Sequence, residues 1–114
     1  VVQEGVSLIV DLSDLPVSDT VDERKMYVRL FISAMMAQPR ELWKPYIVAI
    51  DEAHIFCPEK GSGEAESRGA VISLCSQGRK RGFCAVLATQ RLSKLDKNAA
   101  AELANKLVGR TTLD

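Results

Sequence analysis

Two adjacent carboxylic acids, Asp51 and Glu52, follow directly on five apolar residues, and a histidine, His54, comes two residues later. The unbroken apolar run (residues 46–50) predicts a strand that is covered on both faces, as in parallel sheets. Ligands of open α/β sheets bind where the strands end. Acids at such a point can hold a metal ion and polarise water beside a nucleotide phosphate. A strand that ends in an ordinary acidic turn explains the stretch equally well.

A second apolar strand is predicted up to Thr89 and is followed by Gln90 and Arg91. In a parallel sheet, the tips of the two strands lie at one edge. Hydrolysis of a magnesium nucleotide needs a carboxylate for the metal, a group that activates or orients water, and a cation that offsets the developing charge. Asp51 and Glu52 can meet the first two needs, Gln90 can orient the attacking water, and an arginine can supply the cation.

Strands and helices alternate along the sequence. The predicted strands span residues 6–12, 46–51, 83–89 and 106–112. The predicted helices run from a capping box of Thr20 and Glu23 to Gln38, from Glu66 or Ser67 to Gly78, and over residues 97–105. This order implies right-handed crossovers and a mainly parallel sheet with helices on both faces. We therefore expect an α/β fold with three α/β/α layers.

Length and composition indicate one globular domain. The chain has 114 residues, of which 46% are hydrophobic and 26% charged, as in ordinary globular proteins. No apolar run approaches the roughly 18 residues of a membrane span, and no signal peptide is recognised, so we expect a cytoplasmic protein. The three cysteines (Cys57, Cys75 and Cys84) have no close pairing, which favours reduced thiols over a zinc site. The first and last residues suggest a piece of a longer chain.

The net charge is zero, but its distribution is uneven. Residues 1–76 carry 7 basic and 12 acidic side chains, and residues 77–114 carry 8 basic and 3 acidic ones. The basic half is suited to the phosphates of a nucleotide or a nucleic acid. Attraction to the acidic half of the same chain is an equally good explanation.

Three segments together resemble one protein family. Residues 47–54 (Ile-Val-Ala-Ile-Asp-Glu-Ala-His) look like a Walker B motif, residues 78–82 read Gly-Arg-Lys-Arg-Gly, and residues 88–91 read Ala-Thr-Gln-Arg. In this order and spacing they resemble the HerA/VirB4-like branch of the FtsK–HerA P-loop ATPases. The resemblance covers nearly the whole chain. It implies a RecA-like P-loop NTPase fold and hexameric rings that pump or unwind DNA, with ATP and Mg²⁺ bound between subunits.

The resemblance also implies roles for individual residues. Asp51 would hold Mg²⁺, Glu52 would activate water, and Gln90, beside Thr89 in the nucleotide site, would sense the γ-phosphate. The arginine finger that reaches a neighbour's nucleotide would be Arg79, with Arg81 as the alternate. For His54 two interpretations stay open. It couples the nucleotide state to the rest of the ring, or it is a loop histidine bonded to backbone.

One motif of the family is missing. The sequence contains no G-x-x-x-x-G-K followed by Ser or Thr, and the Gly-Ser-Gly at residues 61–63 does not replace it. In the family, this phosphate-binding loop lies N-terminal to the part that the chain resembles. We therefore interpret residues 1–114 as a single partial ATPase domain, from Walker B to the sensor region. Alone, it is expected neither to bind ATP tightly nor to hydrolyse it.

Two other functions compete with a DNA-translocating ATPase. A DEAH-box superfamily 2 helicase would share residues 51–54, but that family usually carries Ser-Ala-Thr on the next strand, where this chain has Ala88-Thr89-Gln90. A non-catalytic RecA-like module that only assembles, or binds DNA through its basic half, would need neither carboxylate of the Asp-Glu pair.

Overall fold

The computed structural model describes residues 5–60 and 66–110. The predicted Gly-Ser-Gly loop and residues 111–112 of the last predicted strand lie outside the described residues. The two described ranges contain two strands and four α-helices: α1 Glu23–Met36, β1 Tyr46–Ile50, α2 Ala53–Phe56, α3 Arg68–Gln77, β2 Phe83–Leu87 and α4 Lys97–Glu102. Three short 3₁₀ helices connect them: Arg40–Leu42, Gly78–Arg81 and Leu92–Lys94.

The two strands form a parallel pair, with Tyr46 opposite Phe83 and Ile50 opposite Leu87. The intervening chain crosses over through α2 and α3, because parallel neighbours cannot be joined by a tight turn. The chain is thus an α/β domain, and the predictions of β1, of β2 and of their parallel arrangement are confirmed. We name the edge where both strands end the carboxyl edge, and the opposite one the amino edge.

The core lies on one face of the sheet. Side chains at alternate positions, such as Ile50 and Phe83, point towards α1 and α3, where Ile32, Val71 and Leu74 are buried. On the other face Ile47 is 75% exposed. The prediction that this strand is covered on both faces is therefore wrong for the described residues. The apolar run correctly indicated a parallel strand, but among the described residues no helix packs on the face that carries Ile47.

Two predicted strands do not form in the described chain. Residues 6–12 adopt no strand and line an open cleft opposite β1, with Ile9 93% exposed. Residues 106–110 adopt no strand either, and Leu107 is fully exposed. The physical reason is that strand-forming side chains yield a strand only when a neighbouring backbone edge pairs with them.

The helix ends follow local hydrogen bonding. α1 begins two residues later than a Thr20 cap would place it, since Asp22 is the N-cap and accepts a hydrogen bond from the Arg24 amide. The same carboxylate accepts from the Arg24 guanidinium, which lowers the pKa of Asp22. The predicted capping box is therefore wrong. α3 agrees with its prediction, with Ser67 before it and Gly78 after it, whereas α4 ends three residues early.

Among the described residues, no helix combines the length and the apolar character that crossing a membrane requires.

Candidate functional site

The carboxyl edge brings together the polar residues that follow β1 and β2. Because Ile50 pairs with Leu87, the two chains leave the sheet side by side. Two further backbone hydrogen bonds keep them together beyond the strands, from Ala88 N to Ile50 O and from Ala53 N to Ala88 O, both 2.9 Å. The predicted site residues at this edge are therefore neighbours: Asp51, Glu52, Thr89 and Gln90.

Glu52 has an unusual backbone conformation. Its φ of 51° and ψ of 46° are left-handed, and it is the one non-glycine residue with positive φ in the described chain. For an L-residue this conformation costs roughly 1–2 kcal/mol. The Glu52 amide donates to Asp51 Oδ1 at 2.9 Å, and α2 begins at the next residue. Strain of this kind concentrates at functional sites, so the choice of glutamate rather than glycine here calls for a role of the side chain.

His54 joins the two strand ends through its ring. Nδ1 lies 2.8 Å from Thr89 Oγ1, and Nε2 lies 3.5 Å from Glu52 Oε2. The Thr89 hydroxyl oxygen also accepts a hydrogen bond of 3.0 Å from the Arg91 amide. The ring's partners are therefore side chains, and the interpretation of a loop histidine bonded to backbone is wrong.

The ring contact with Thr89 could not be found from the sequence, because the two residues are 35 positions apart. The only available signal was that each follows an apolar strand.

The two candidate finger arginines lie at the amino edge. The 3₁₀ helix Gly78–Arg81 precedes β2, so a five-residue strand, about 15 Å long, separates it from the acids. Arg79 is exposed. Arg81 donates to Met36 O (3.1 Å) and Gln77 O (3.3 Å), and its guanidinium lies 5.3 Å from the ring centre of Trp43. Within one chain, the structure does not bring either arginine to the carboxylates.

In the described chain, the carboxyl edge offers too few ligands to bind a metal ion by protein side chains alone. The described residues contain no group of three or more His, Cys, Asp or Glu side chains that could hold an ion. Asp51 and Glu52 are both exposed. Mg²⁺ is commonly held by one or two carboxylates together with substrate phosphates and water. The residues present thus fit Mg²⁺ that arrives with a nucleotide.

Two of the three cysteines, Cys57 and Cys75, offer no competing nucleophile. Burial raises the pKa of the Cys57 thiol to about 12 and that of Cys75 to about 11. Both thiols are therefore protonated at neutral pH, and only a thiolate acts as a nucleophile or a metal ligand.

No protein-family model matches the sequence, and a search of curated proteins also found no match. The structure therefore assigns the chain to a fold class only. It is an α/β domain in which polar residues follow both strands of a parallel pair at the carboxyl edge.

The strain at residue 52 can be measured. We expect Glu52→Gly to be more stable than Glu52→Ala by about 1 kcal/mol. Both variants lose the carboxylate and its contact with His54, but only alanine keeps a Cβ on the left-handed backbone. Urea unfolding followed by circular dichroism gives the difference. Equal stabilities, or a more stable alanine variant, would show that this backbone carries no strain.

Proposed function

We propose that this chain supplies the hydrolytic part of an ATP–Mg²⁺ site in a HerA-like, DNA-translocating ATPase. The observation that carries the proposal is the parallel pairing of β1 and β2, which places the acids that follow β1 and the amide that follows β2 at the same edge. Asp51 and Glu52 leave one strand, and Gln90 leaves its parallel neighbour. Adjacent strands are about 4.8 Å apart, so these groups can converge on one phosphate.

The proposed roles follow from the chemistry of each group. Asp51 holds Mg²⁺, in part through water, because its carboxylate is exposed and is fixed by the Glu52 amide. Glu52 activates the attacking water, and its strained backbone sets the direction of its side chain. Gln90, with Thr89 beside it, contacts the γ-phosphate. ATP and Mg²⁺ together supply an electrophilic phosphorus whose charge is partly neutralised by the metal.

The opposite location of Arg79 has a consequence for assembly. An exposed arginine at the amino edge cannot stabilise charge at the carboxyl edge of its own chain. It can do so only at the site of a neighbouring subunit, as a hexameric ring requires. We propose Arg79 as this finger. Arg81 remains the alternate, although its bonds to Met36 and Gln77 must first break.

The proposal includes a RecA-like fold with three α/β/α layers and a larger sheet than the two described strands. Residues 6–12 (Val-Ser-Leu-Ile-Val-Asp-Leu) have strand-forming side chains and lie across the cleft from β1. They are joined to β1 through α1, as in a β-α-β crossover. In the assembled ATPase, we propose, this segment pairs with β1. A phosphate-binding loop must also come from outside these 114 residues, because the sequence contains none.

Nucleotide binding by the chain tests the proposal directly. We expect Mn²⁺–ATP, used as a paramagnetic probe at millimolar concentration, to broaden the backbone amide signals of Asp51, Glu52 and Gln90. Asp51→Asn should weaken this binding by about 10–100-fold, as the loss of a group that orients metal-bound water does. The matched control is Asp19→Asn, which removes an exposed acid from the loop before α1 and should change nothing.

Four results would contradict parts of the proposal. If no amide at the carboxyl edge broadens, the acids form an ordinary turn. If Asp19→Asn weakens binding as much as Asp51→Asn, only the total charge matters. Magnesium-dependent ATP turnover by the chain, abolished in Glu52→Gln, would show that no external phosphate-binding loop is needed. Salt-dependent DNA binding without any nucleotide effect would favour the non-catalytic module.

A further inference from the structure

A continuous chain of side-chain contacts crosses the carboxyl edge. It begins at the Glu52 carboxylate, passes through both ring nitrogens of His54 (3.5 and 2.8 Å), and ends at the Thr89 hydroxyl. The Glu52 side chain is 48% exposed, whereas that of His54 is 14% exposed. The ring is thus the partly buried middle of a link whose acidic end faces solvent.

The chemistry of the three groups determines which way the hydrogen bonds run. The Glu52 carboxylate lies 3.5 Å from Nε2 of His54, and because a carboxylate only accepts, this contact favours a proton on Nε2. In the neutral ring Nδ1 is then the acceptor, and the Thr89 hydroxyl donates to it. The oxygen of that hydroxyl still accepts from the Arg91 amide at 3.0 Å. Each member of the link therefore depends on the orientation of the next.

The far end of the link surrounds Gln90. Thr89 and Arg91 flank this residue, and the bond from the Arg91 amide to Thr89 Oγ1 closes the turn that carries it. A displacement of Gln90 changes this turn and with it the position of the Thr89 hydroxyl. A backbone hydrogen bond from Ala53 N to Ala88 O also joins the two segments, but in the described residues the side-chain route from the Thr89 hydroxyl to the Glu52 carboxylate runs through His54.

We infer that His54 is a positioning residue that couples the turn carrying Gln90 to the carboxylate of Glu52. The purpose of this coupling rests on the proposed function. There, contact of Gln90 with a phosphate would orient the Glu52 carboxylate, which activates water. The coupling itself exists without nucleotide. Its physical basis is the imidazole ring, in which Nδ1 contacts Thr89 after β2 and Nε2 contacts Glu52 after β1.

Nuclear magnetic resonance of the nucleotide-free chain tests the coupling. His54 is the only histidine, so its ring signals need no assignment by mutation. We expect the tautomer with the proton on Nε2. Thr89→Val should lose this fixed tautomer and should also shift the amide and carboxyl signals of Glu52. Thr89→Ser, which keeps the hydroxyl, should restore both.

Two substitutions of His54 separate the halves of the link. His54→Asn keeps an acceptor near the position of Nδ1, and His54→Gln keeps a donor near that of Nε2. We expect the asparagine variant to preserve the Arg91 amide shift and to change Glu52, and the glutamine variant to do the reverse. Ile55→Val, a small change in the same helix, is the control for general disturbance of α2 and should leave both signals in place.

Unchanged Glu52 signals in Thr89→Val would overturn the inference, as would equal changes in Thr89→Val and Thr89→Ser. A ring protonated on Nδ1 in the unsubstituted chain would also overturn it. None of these results affects the Mn²⁺–ATP test of the nucleotide site. Conversely, the coupling can be observed while Mn²⁺–ATP broadens no amide signal. That result would confirm the coupling and contradict the proposed function.

Discussion

Arg81→Ala is expected to lower the free energy of unfolding by about 2–3 kcal/mol, whereas Arg79→Ala changes it by less than about 0.5 kcal/mol. The two arginines are two positions apart in one 3₁₀ helix, so they form a matched pair. Arg81 bonds the carbonyl that ends α1 and a carbonyl of α3, and it covers the face of Trp43. Arg79 is exposed.

Urea unfolding at equal salt concentration, followed by circular dichroism, measures both changes. Arg81→Lys is a further control, because lysine keeps the charge but cannot bond two carbonyls with a planar guanidinium, and we expect it to recover only part of the loss. If Arg81→Ala is as stable as Arg79→Ala, the contacts of Arg81 contribute little, and it is as free as Arg79 to serve a neighbouring subunit.

Leu74→Ala is expected to cost about 3 kcal/mol, within the 2–5 kcal/mol typical of a buried leucine. Leu74 is 1% exposed and lies on α3, between α1 and the sheet. The cavity left by the substitution has little means of closing, because Gly78 and Phe83 crowd the same place. A Cβ on Gly78 would meet Leu74 Cδ1 and Phe83 Cβ, each at 3.3 Å.

The matched control is Leu30→Ala, the same chemical change on α1 at a side chain that is 53% exposed. We expect it to cost less than about 1 kcal/mol. Since domains are stable by only about 5–15 kcal/mol, the Leu74 variant should also lower the urea midpoint clearly. Equal losses for the two leucines would mean that the core lies elsewhere than between α3 and the sheet.

The parts of the fold that the sequence predicts correctly are those decided locally. The runs before Asp51 and up to Thr89 are apolar over their whole length, and this pattern suffices for β1 and β2. Residues 68–77 have apolar side chains at helical spacing and a glycine after them, which predicts α3. The meeting of the two strand tips then follows from the rule that parallel strands share an edge.

The parts that the sequence does not predict depend on partners distant in the chain. Residues 6–12 have the side chains of a strand, but whether they pair is decided by the backbone of β1. The cap of α1 lies at Asp22 because the Arg24 guanidinium and amide both bind it, and a pattern of residue types does not reveal that choice. The same holds for His54 and Thr89, whose contact exists only once β1 and β2 have paired.

The site itself divides in the same way. Asp51, Glu52 and Gln90 are found from their places after apolar runs. The left-handed backbone of Glu52 is not, because glutamate has no preference for it. The separation of Arg79 from the acids is likewise a property of strand direction.

Trp43 lies at the amino edge beneath the guanidinium of Arg81, and its indole N–H donates to Gln38 O at 2.9 Å. It is the only tryptophan of the chain, and His54, at the other edge, is the only histidine. The protein therefore carries one natural fluorescence probe at the amino edge of its sheet and one natural magnetic resonance probe at the carboxyl edge. Denaturation followed by indole fluorescence and by the imidazole signal reports on the two edges separately in the unlabelled, unmutated chain. Coincident transitions indicate one cooperative unit, and separate transitions indicate an edge that opens before the other.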